Sequence, residues 1–207
     1  MQTQDSKGRP LLIYLHGFLS SPQSFKCQLM REQLGADHPS IIFCAPQISP
    51  YPAIAQQSLV SLLKGFLKSA DCGPIGLVGS SMGGFWCTYL GERFNLPAAL
   101  INPAVRPSRF MPAYIGQVLR PYSGEQRDYR LGRGDVDTLE HLEAELPSPL
   151  SSRYWLLAQR GDETLDYRDA EDFYRGQRQT IEDGGDHSFQ GFARYCDPIV
   201  EFLFNQQ

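Results

Sequence analysis

Hydrophobic and polar positions alternate along the chain in blocks that predict strands separated by helices. Short apolar runs of four or five residues predict buried strands. These runs cover residues 11–15, 41–45, 75–78, 98–101 and 154–158, and the more polar residues 178–181 are the last predicted strand. Between them, apolar residues recur three and four positions apart, which is typical of amphipathic helices. The regular alternation of the two patterns predicts an α/β fold with a mainly parallel central sheet and helices on both faces.

The predicted helices follow the strands in order. They cover residues 25–34, the stripe from Leu59 to Leu67, residues 82–90, residues 169–174 and residues 199–204. In the helix predicted from Leu59, the apolar side chains stand at positions 59, 62, 63, 66 and 67, which form one face of a helix. Ser81 therefore stands at a predicted junction between a strand and a helix.

Residues 103–150 interrupt this rhythm. The stretch from Pro103 to Pro149 contains six prolines and joins two strands that a short crossover could connect. We therefore expect one α/β domain over residues 1–207, with residues 103–150 as a cap-like insertion over the carboxyl edge of the sheet. Leu139, Leu142 and Leu146 predict a short helix within it.

Charges in the insertion are segregated. The arginines come first, at positions 106, 109, 120, 127, 130 and 133, and acids follow at 135, 137, 140, 143 and 145. Over residues 106–133, six arginines against Glu125 and Asp128 leave a local charge of 6 − 2 = +4. Two interpretations stay open: the two halves neutralise each other on the surface, or Arg106 and Arg109 attract the phosphates of an acyl-coenzyme A at the pocket mouth.

Composition narrows the class of protein only slightly. The chain has 207 residues, a net charge of −4 and a pI near 5.6, which are typical of a single soluble domain and give no reason to expect nucleic-acid binding. The polar N-terminus lacks a signal-peptide pattern, and no apolar run is long enough to span a bilayer. The five cysteines are scattered, which favours free thiols in the cytoplasm over disulfides or a zinc site.

The segment Gly79-Ser80-Ser81-Met82-Gly83 fits the pattern G-x-S-x-G. In this pattern a serine occupies a sharp turn between a strand and a helix, and small flanking residues let the two elements approach closely. The pattern alone is short enough to arise by chance, but an apolar strand precedes it here and a helical stripe follows it. Ser81 is therefore the candidate nucleophile, whereas Ser80 is expected to be a turn residue.

A serine hydroxyl needs a base to remove its proton, and an acid to orient that base. In folds that carry this elbow, the acid and then the histidine follow the serine along the chain. His187 comes after the last predicted strand on a glycine-rich loop and is the candidate base. Asp162 follows the strand 154–158 and is the candidate acid, with Asp166 as its strongest rival.

Acyl transfer also needs hydrogen-bond donors for the oxyanion, usually backbone amides. The residue after the nucleophile supplies one, and the loop after the first strand supplies the other. These positions are Met82 and Phe18, next to Gly17. His16 is expected to brace this loop rather than take part in catalysis.

Together these motifs make the chain resemble the α/β-hydrolase superfamily, and more closely the small bacterial YqiA-like esterases. The shared motifs are Gly-Ser-Ser-Met-Gly-Gly at 79–84, Gly-Asp-Glu-Thr-Leu-Asp-Tyr at 161–167 and Gly-Gly-Asp-His-Ser-Phe at 184–189. The resemblance implies an α/β-hydrolase fold and esterase-type hydrolysis without a metal or an organic cofactor.

The function expected from these residues is hydrolysis of a small carboxylic ester or acyl thioester through an acyl-enzyme on Ser81. Two alternatives remain. The same acyl-enzyme would serve an acyltransferase, and the scaffold alone would serve a binding protein without catalysis. The expected partner is a small-molecule substrate rather than nucleic acid or a membrane.

Overall fold

A computed structural model describes residues 8–122 and 127–205. Within them, six parallel strands form one sheet in the order β2-β1-β3-β4-β5-β6. The strands are β1 (Arg9–Leu15), β2 (Ile42–Cys44), β3 (Cys72–Ser80), β4 (Ala98–Ile101), β5 (Tyr154–Gln159) and β6 (Arg178–Glu182). The predicted α/β class with a parallel central sheet is confirmed.

Helices alternate with these strands and cover both faces of the sheet. They are α1 (Phe25–Asp37), α2 (Pro52–Lys68), α3 (Met82–Phe94), α4 (Arg133–Ala144), α5 (Tyr167–Phe173) and α6 (Cys196–Phe204). No helix among the described residues is both long enough and apolar enough to cross a membrane. Short 3₁₀ helices occur at Pro107–Arg109, Met111–Tyr114 and Phe192–Tyr195, where the hydrophobic pattern gives no signal.

The strand β1 lies inside the sheet, next to the edge strand β2, and is buried on both faces. Leu11, Ile13 and Leu15 pack into the core that includes α2 and α3, whereas Leu12 and Tyr14 pack into the core that includes α1 and α6. A strand covered on both faces needs apolar side chains at every position. This explains why β1 reads as a continuous apolar run rather than as an alternating one.

Residues between β4 and β5 form the two 3₁₀ helices and α4. Val136, Leu139 and Leu142 form the buried face of α4, which contacts α2 and both 3₁₀ helices. Isolated bridges join Ile115 to Leu131 and Leu119 to Tyr129. The segment also reaches the loop after β1, where the ring of Tyr114 lies edge-on to Phe18 with 5.6 Å between centroids.

Several charges of this segment pair locally. Arg120 lies 2.8 Å from Asp128, and Arg133 lies 2.8 Å from Asp137 and 3.2 Å from Glu140. These pairs are exposed and screened by solvent, so they contribute little to stability. They favour the interpretation that much of the charge is neutralised on the surface; Glu125 lies outside the described residues.

The packing of α3 against β1 leads to a stability prediction. A methyl group at Gly83 would collide with the Leu15 carbonyl group, whereas one at Gly65 in α2 would meet no atom within 4 Å. We expect Gly83→Ala to lower the free energy of unfolding by about 1–3 kcal/mol or more, because neither backbone can yield. Gly65→Ala, the matched control, should raise it by roughly 0.5–1 kcal/mol. Denaturant unfolding of both variants measures the free energy of unfolding. Equal changes in this free energy would contradict the close packing of Gly83 against Leu15.

Candidate active site

Ser81 stands between β3 and α3 in a strained backbone conformation. Its φ is 54° and its ψ is −124°, a region that costs a non-glycine residue about 1–3 kcal/mol. Three backbone hydrogen bonds hold the turn: the Ser81 amide donates to Ile101 (3.0 Å), and its carbonyl accepts from Gly84 (2.8 Å) and Ala104 (3.0 Å). The turn predicted from the motif is therefore present, and neighbouring elements hold it in place.

Two glycines of the motif let the strand and helix approach. A side chain at Gly79 would collide with the Gly83 carbonyl group, and one at Gly83 would collide with the end of β1. Both positions therefore exclude even alanine without a backbone shift. This close packing sets Ser81 directly beside the loop that follows β1.

The site lies where the strand order reverses. β1 lies between β2 and β3, so the connections leaving β1 and β3 run in opposite directions along the sheet. In open α/β sheets, ligands bind outside the carboxyl ends of strands at such a point. His16, Gly17 and Phe18 follow β1, and Ser81 follows β3.

His187 bridges Ser81 and Asp162. Its Nε2 lies 3.1 Å from Ser81 Oγ, and its Nδ1 lies 2.9 Å and 3.0 Å from the two Asp162 oxygens. With Nδ1–H donating to the carboxylate, Nε2 is free to accept the serine proton. The structure thus brings together three residues that are 106 and 25 positions apart in sequence.

Asp162 is held in place and screened from solvent. Its side chain is 2% exposed, against 26% for His187. One carboxylate oxygen accepts from the backbone amides of Thr164 (2.8 Å) and Leu165 (2.9 Å), which fix the orientation of the carboxylate. The carboxylate is therefore oriented before any substrate arrives.

Asp166, the rival acid, has a different partner. It is the N-cap of α5 and accepts from the Arg168 amide at 3.0 Å. Glu163 accepts from the His187 amide at 3.0 Å, so it ties down the histidine loop rather than the imidazole ring. Of these neighbouring acids, only Asp162 hydrogen-bonds the ring of His187 among the described residues.

His16 braces the loop after β1. Its Nδ1 donates to the Gly17 carbonyl (2.8 Å), and its Nε2 accepts from the Ile48 amide (3.0 Å). Burial lowers the pKa of His16, which favours the neutral ring that this pairing requires. The adjacent Phe18 amide, like that of Met82, has no hydrogen-bond acceptor in the part of the chain that the structure describes.

A cavity of about 270 Å³ opens beside Ser81. His187, Phe18, Lys26 and Tyr122 contribute to its wall. Arg106 does not line it; the guanidinium of Arg106 lies over the ring of Phe173, 5.7 Å from its centroid. Arg109 is likewise absent from the wall, so the expectation that these arginines flank the mouth finds no support.

The comparison with known families decides the membership of this chain. Residues 11–204 match the family model of UPF0227, an uncharacterised protein family. The chain belongs to UPF0227. This match spans nearly the whole chain, and it confirms the resemblance to the YqiA-like proteins.

Solved structures confirm the α/β-hydrolase fold for this UPF0227 member. Est1E from Butyrivibrio proteoclasticus superposes with a TM-score of 0.73 at 15% identity, covering 99% of this chain and 91% of that one. Alpha/beta hydrolase domain-containing protein 10 from mouse superposes with a TM-score of 0.68 at 16% identity, covering 92% of this chain and 89% of that one. The esterase domain of a Rhodothermus marinus protein superposes with a TM-score of 0.65 at 16% identity, covering 95% of this chain and 87% of that one. At such identities the likeness establishes the fold alone.

Sequence reasoning missed two buried amides that hold the His187 loop. The Asn102 Nδ2 donates to the backbone carbonyls of Asp186 (2.9 Å) and His187 (3.3 Å), and its Oδ1 accepts from the backbone amide of Gln159 (2.9 Å). The Gln159 side chain in turn accepts from the Gln190 amide at 2.8 Å. The one available signal was position, because Asn102 directly follows the apolar run of β4.

Asn102 allows a test of this support. Its φ is 41°, which glycine also adopts, so Asn102→Gly removes the side chain without adding strain. Loss of three hydrogen bonds in a buried site should lower the free energy of unfolding by about 1–3 kcal/mol. Asn95→Gly is the matched control, because exposed Asn95 also has a positive φ (52°), and it should change stability by less than about 0.5 kcal/mol. Denaturant unfolding measures the free energy of unfolding of both variants. Equal changes in the two would refute the supporting role of the Asn102 side chain.

Proposed function

We propose that this chain is a serine hydrolase that cleaves carboxylic esters or acyl thioesters through an acyl-enzyme on Ser81. The proposal rests on one continuous chain of hydrogen bonds, from Ser81 Oγ to His187 and from His187 to Asp162. The same order of groups activates a serine in unrelated hydrolases, because the chemistry depends on geometry and not on sequence. The strained turn at Ser81 adds support, since strain of this kind concentrates at functional sites.

In the proposed reaction, Ser81 Oγ attacks the carbonyl carbon of the substrate while His187 Nε2 takes the hydroxyl proton. The tetrahedral intermediate collapses, and the protonated imidazole gives that proton to the leaving alkoxide or thiolate. Water, deprotonated by His187, then attacks the acyl-enzyme; the bond from the acyl carbon to Ser81 Oγ breaks, and the imidazolium returns its proton to Oγ as the acid is released. Asp162 keeps the imidazole in the required tautomer and stabilises its charged form.

The amides of Phe18 and Met82 are the proposed donors to the oxyanion. Neither has a protein acceptor among the described residues, so both remain available to a ligand. Met82 is also the first residue of α3, where the helix dipole favours negative charge. Fixed donors of this kind stabilise the charge that develops in the transition state.

Residues 103–150 are the proposed cap over this site. Two contacts with the loop after β1 support this role: the ring contact of Tyr114 with Phe18, and a hydrogen bond of 2.8 Å from the Tyr122 amide to Leu19. Tyr122 also lines the cavity beside Ser81. A cap here would restrict the cavity to small substrates and limit the access of water.

The nucleophile is tested by Ser81→Ala. Without the hydroxyl no acyl-enzyme forms, and turnover of activated esters should fall by a factor of about 10⁴ to 10⁶. A fluorophosphonate probe should label the wild-type chain and leave the variant unlabelled. Retention of more than a few per cent of activity would move the nucleophile elsewhere, and an unlabelled wild-type chain would favour a binding protein.

The acid is tested by comparing Asp162→Asn with Asp166→Asn. The amide at 162 cannot stabilise the imidazolium and favours the wrong tautomer, so kcat should drop by roughly 10⁴. Asp166→Asn should change kcat far less, because asparagine also caps a helix well. Steady-state kinetics of both variants on one ester decide between them, and the reverse ranking would assign the acid to Asp166.

Hydrolysis and acyl transfer are separated by the fate of the acyl group. With a chromogenic ester, we expect the free acid to account for all the leaving group released. If added alcohols or thiols raised the rate of turnover and appeared as acylated products in place of the acid, the chain would be an acyltransferase using the same Ser81 intermediate.

A further inference from the structure

A lysine lies in the same cavity as Ser81. Lys26 is near the start of α1, and its ammonium donates to the Ser188 carbonyl at 2.8 Å. Ser188 directly follows His187, and Lys26, Ser81 and His187 all line the cavity of about 270 Å³. The mechanism proposed above makes no use of this ammonium.

The charge of Lys26 has no close counterion among the described residues. No Asp or Glu lines the cavity, and no carboxylate there lies within ion-pair distance of the ammonium. Burial lowers the pKa of Lys26 to about 8, although the more distant Asp186 and Asp162 act in the opposite direction. The Lys26 side chain is half-buried, and its hydrogen bond to Ser188 is open to solvent. An ammonium without a counterion gains stability when an anion binds beside it.

A further feature of the wall fits an anion. Ser24, also in the wall, is the N-cap of α1, and its side chain makes no capping hydrogen bond. The positive end of the α1 dipole therefore adds to the charge of Lys26.

We propose that Lys26 is a specificity-determining residue that binds an anionic group, a carboxylate or a phosphate, on the ester substrate. This inference rests on the proposed function. The small cavity requires the anion to lie within a few bonds of the reacting carbonyl. The favoured substrates are then short esters that carry one negative charge, and cationic esters are disfavoured.

The anion has two possible sources, and matched substrates distinguish them. An anion in the acyl part is tested with the p-nitrophenyl half-ester of glutaric acid against p-nitrophenyl valerate, which has the same chain length and no charge. An anion in the leaving group is tested with 4-acetoxybenzoate against its methyl ester. In at least one pair, kcat/KM of the wild-type chain should favour the anionic member once the chemical reactivity of the two leaving groups is taken into account.

Three substitutions at Lys26 separate charge from hydrogen bonding. Lys26→Met removes both, Lys26→Gln removes the charge and keeps a donor for Ser188, and Lys26→Arg keeps the charge. The kcat/KM for the anionic substrate divided by that for the neutral one should fall roughly 10- to 100-fold in Lys26→Met and in Lys26→Gln. In Lys26→Arg this ratio should fall much less. Lys64→Met, which removes an exposed lysine of α2, should leave the ratio unchanged.

A structural role for Lys26 predicts different results. If the ammonium only ties down the His187 loop, Lys26→Met would slow both members of a pair equally and Lys26→Gln would restore the rate. Either that pattern, or a wild-type ratio near one in both pairs, would overturn the proposal while leaving the esterase function intact.

Binding without turnover keeps the two proposals separable. In the Ser81→Ala background, glutarate should bind more weakly by the same 10- to 100-fold when Lys26→Met is added, as measured by calorimetry. If no ester is hydrolysed by the wild-type chain, the proposed function fails, but this measurement still decides whether Lys26 binds an anion. Glutarate affinity that is equal with and without Lys26, or not detectable in either, would overturn the inference.

Discussion

The contact between α3 and the end of β1 positions the candidate nucleophile and the two neighbouring backbone amides of the candidate site. Gly83 packs against the Leu15 carbonyl group so closely that no side chain fits between them. This contact sets the first turn of α3 beside the loop after β1 and forces Ser81 into a left-handed backbone conformation. The hydroxyl, the amide of Met82 and the amide of Phe18 thus come from different elements that share one rigid junction. Their relative geometry follows from backbone packing, which a side-chain rotation cannot undo.

The histidine is positioned in another way, through polar groups that reach across the sheet. Its loop follows the edge strand β6, far from the glycine contact, and is tied to the carboxyl ends of β4 and β5 by Asn102 and Gln159. Buried amides of this kind are costly unless every hydrogen bond is made, and here they are paired on both sides. The site therefore combines a strained turn held by packing with a loop held by hydrogen bonds. Catalytic geometry on loops usually depends on such second supports.

The sequence predicted the strands and the residues around Ser81 because both depend on local signals. A double-sided apolar run identifies β1, and the glycine pattern identifies the turn. Asn102 and Lys26 were not foreseen, because their partners lie 84 and 162 positions away and no spacing rule connects them. For Arg106 the sequence left two interpretations open, and the structure sets its guanidinium over the ring of Phe173, outside the wall of the cavity beside Ser81. Polar networks can be identified only once the tertiary structure is known, whereas buried strands and tight turns can be predicted from local sequence.

The central claim is that Ser81 forms a covalent acyl-enzyme under the control of His187. Rapid acid quench during the first turnover of p-nitrophenyl acetate, followed by intact mass and peptide mapping, tests it most directly. We expect one added acetyl group on the peptide that contains Ser81, and no such adduct on the same timescale in His187→Ala. Turnover without any adduct on Ser81, or an adduct on another residue, would contradict it.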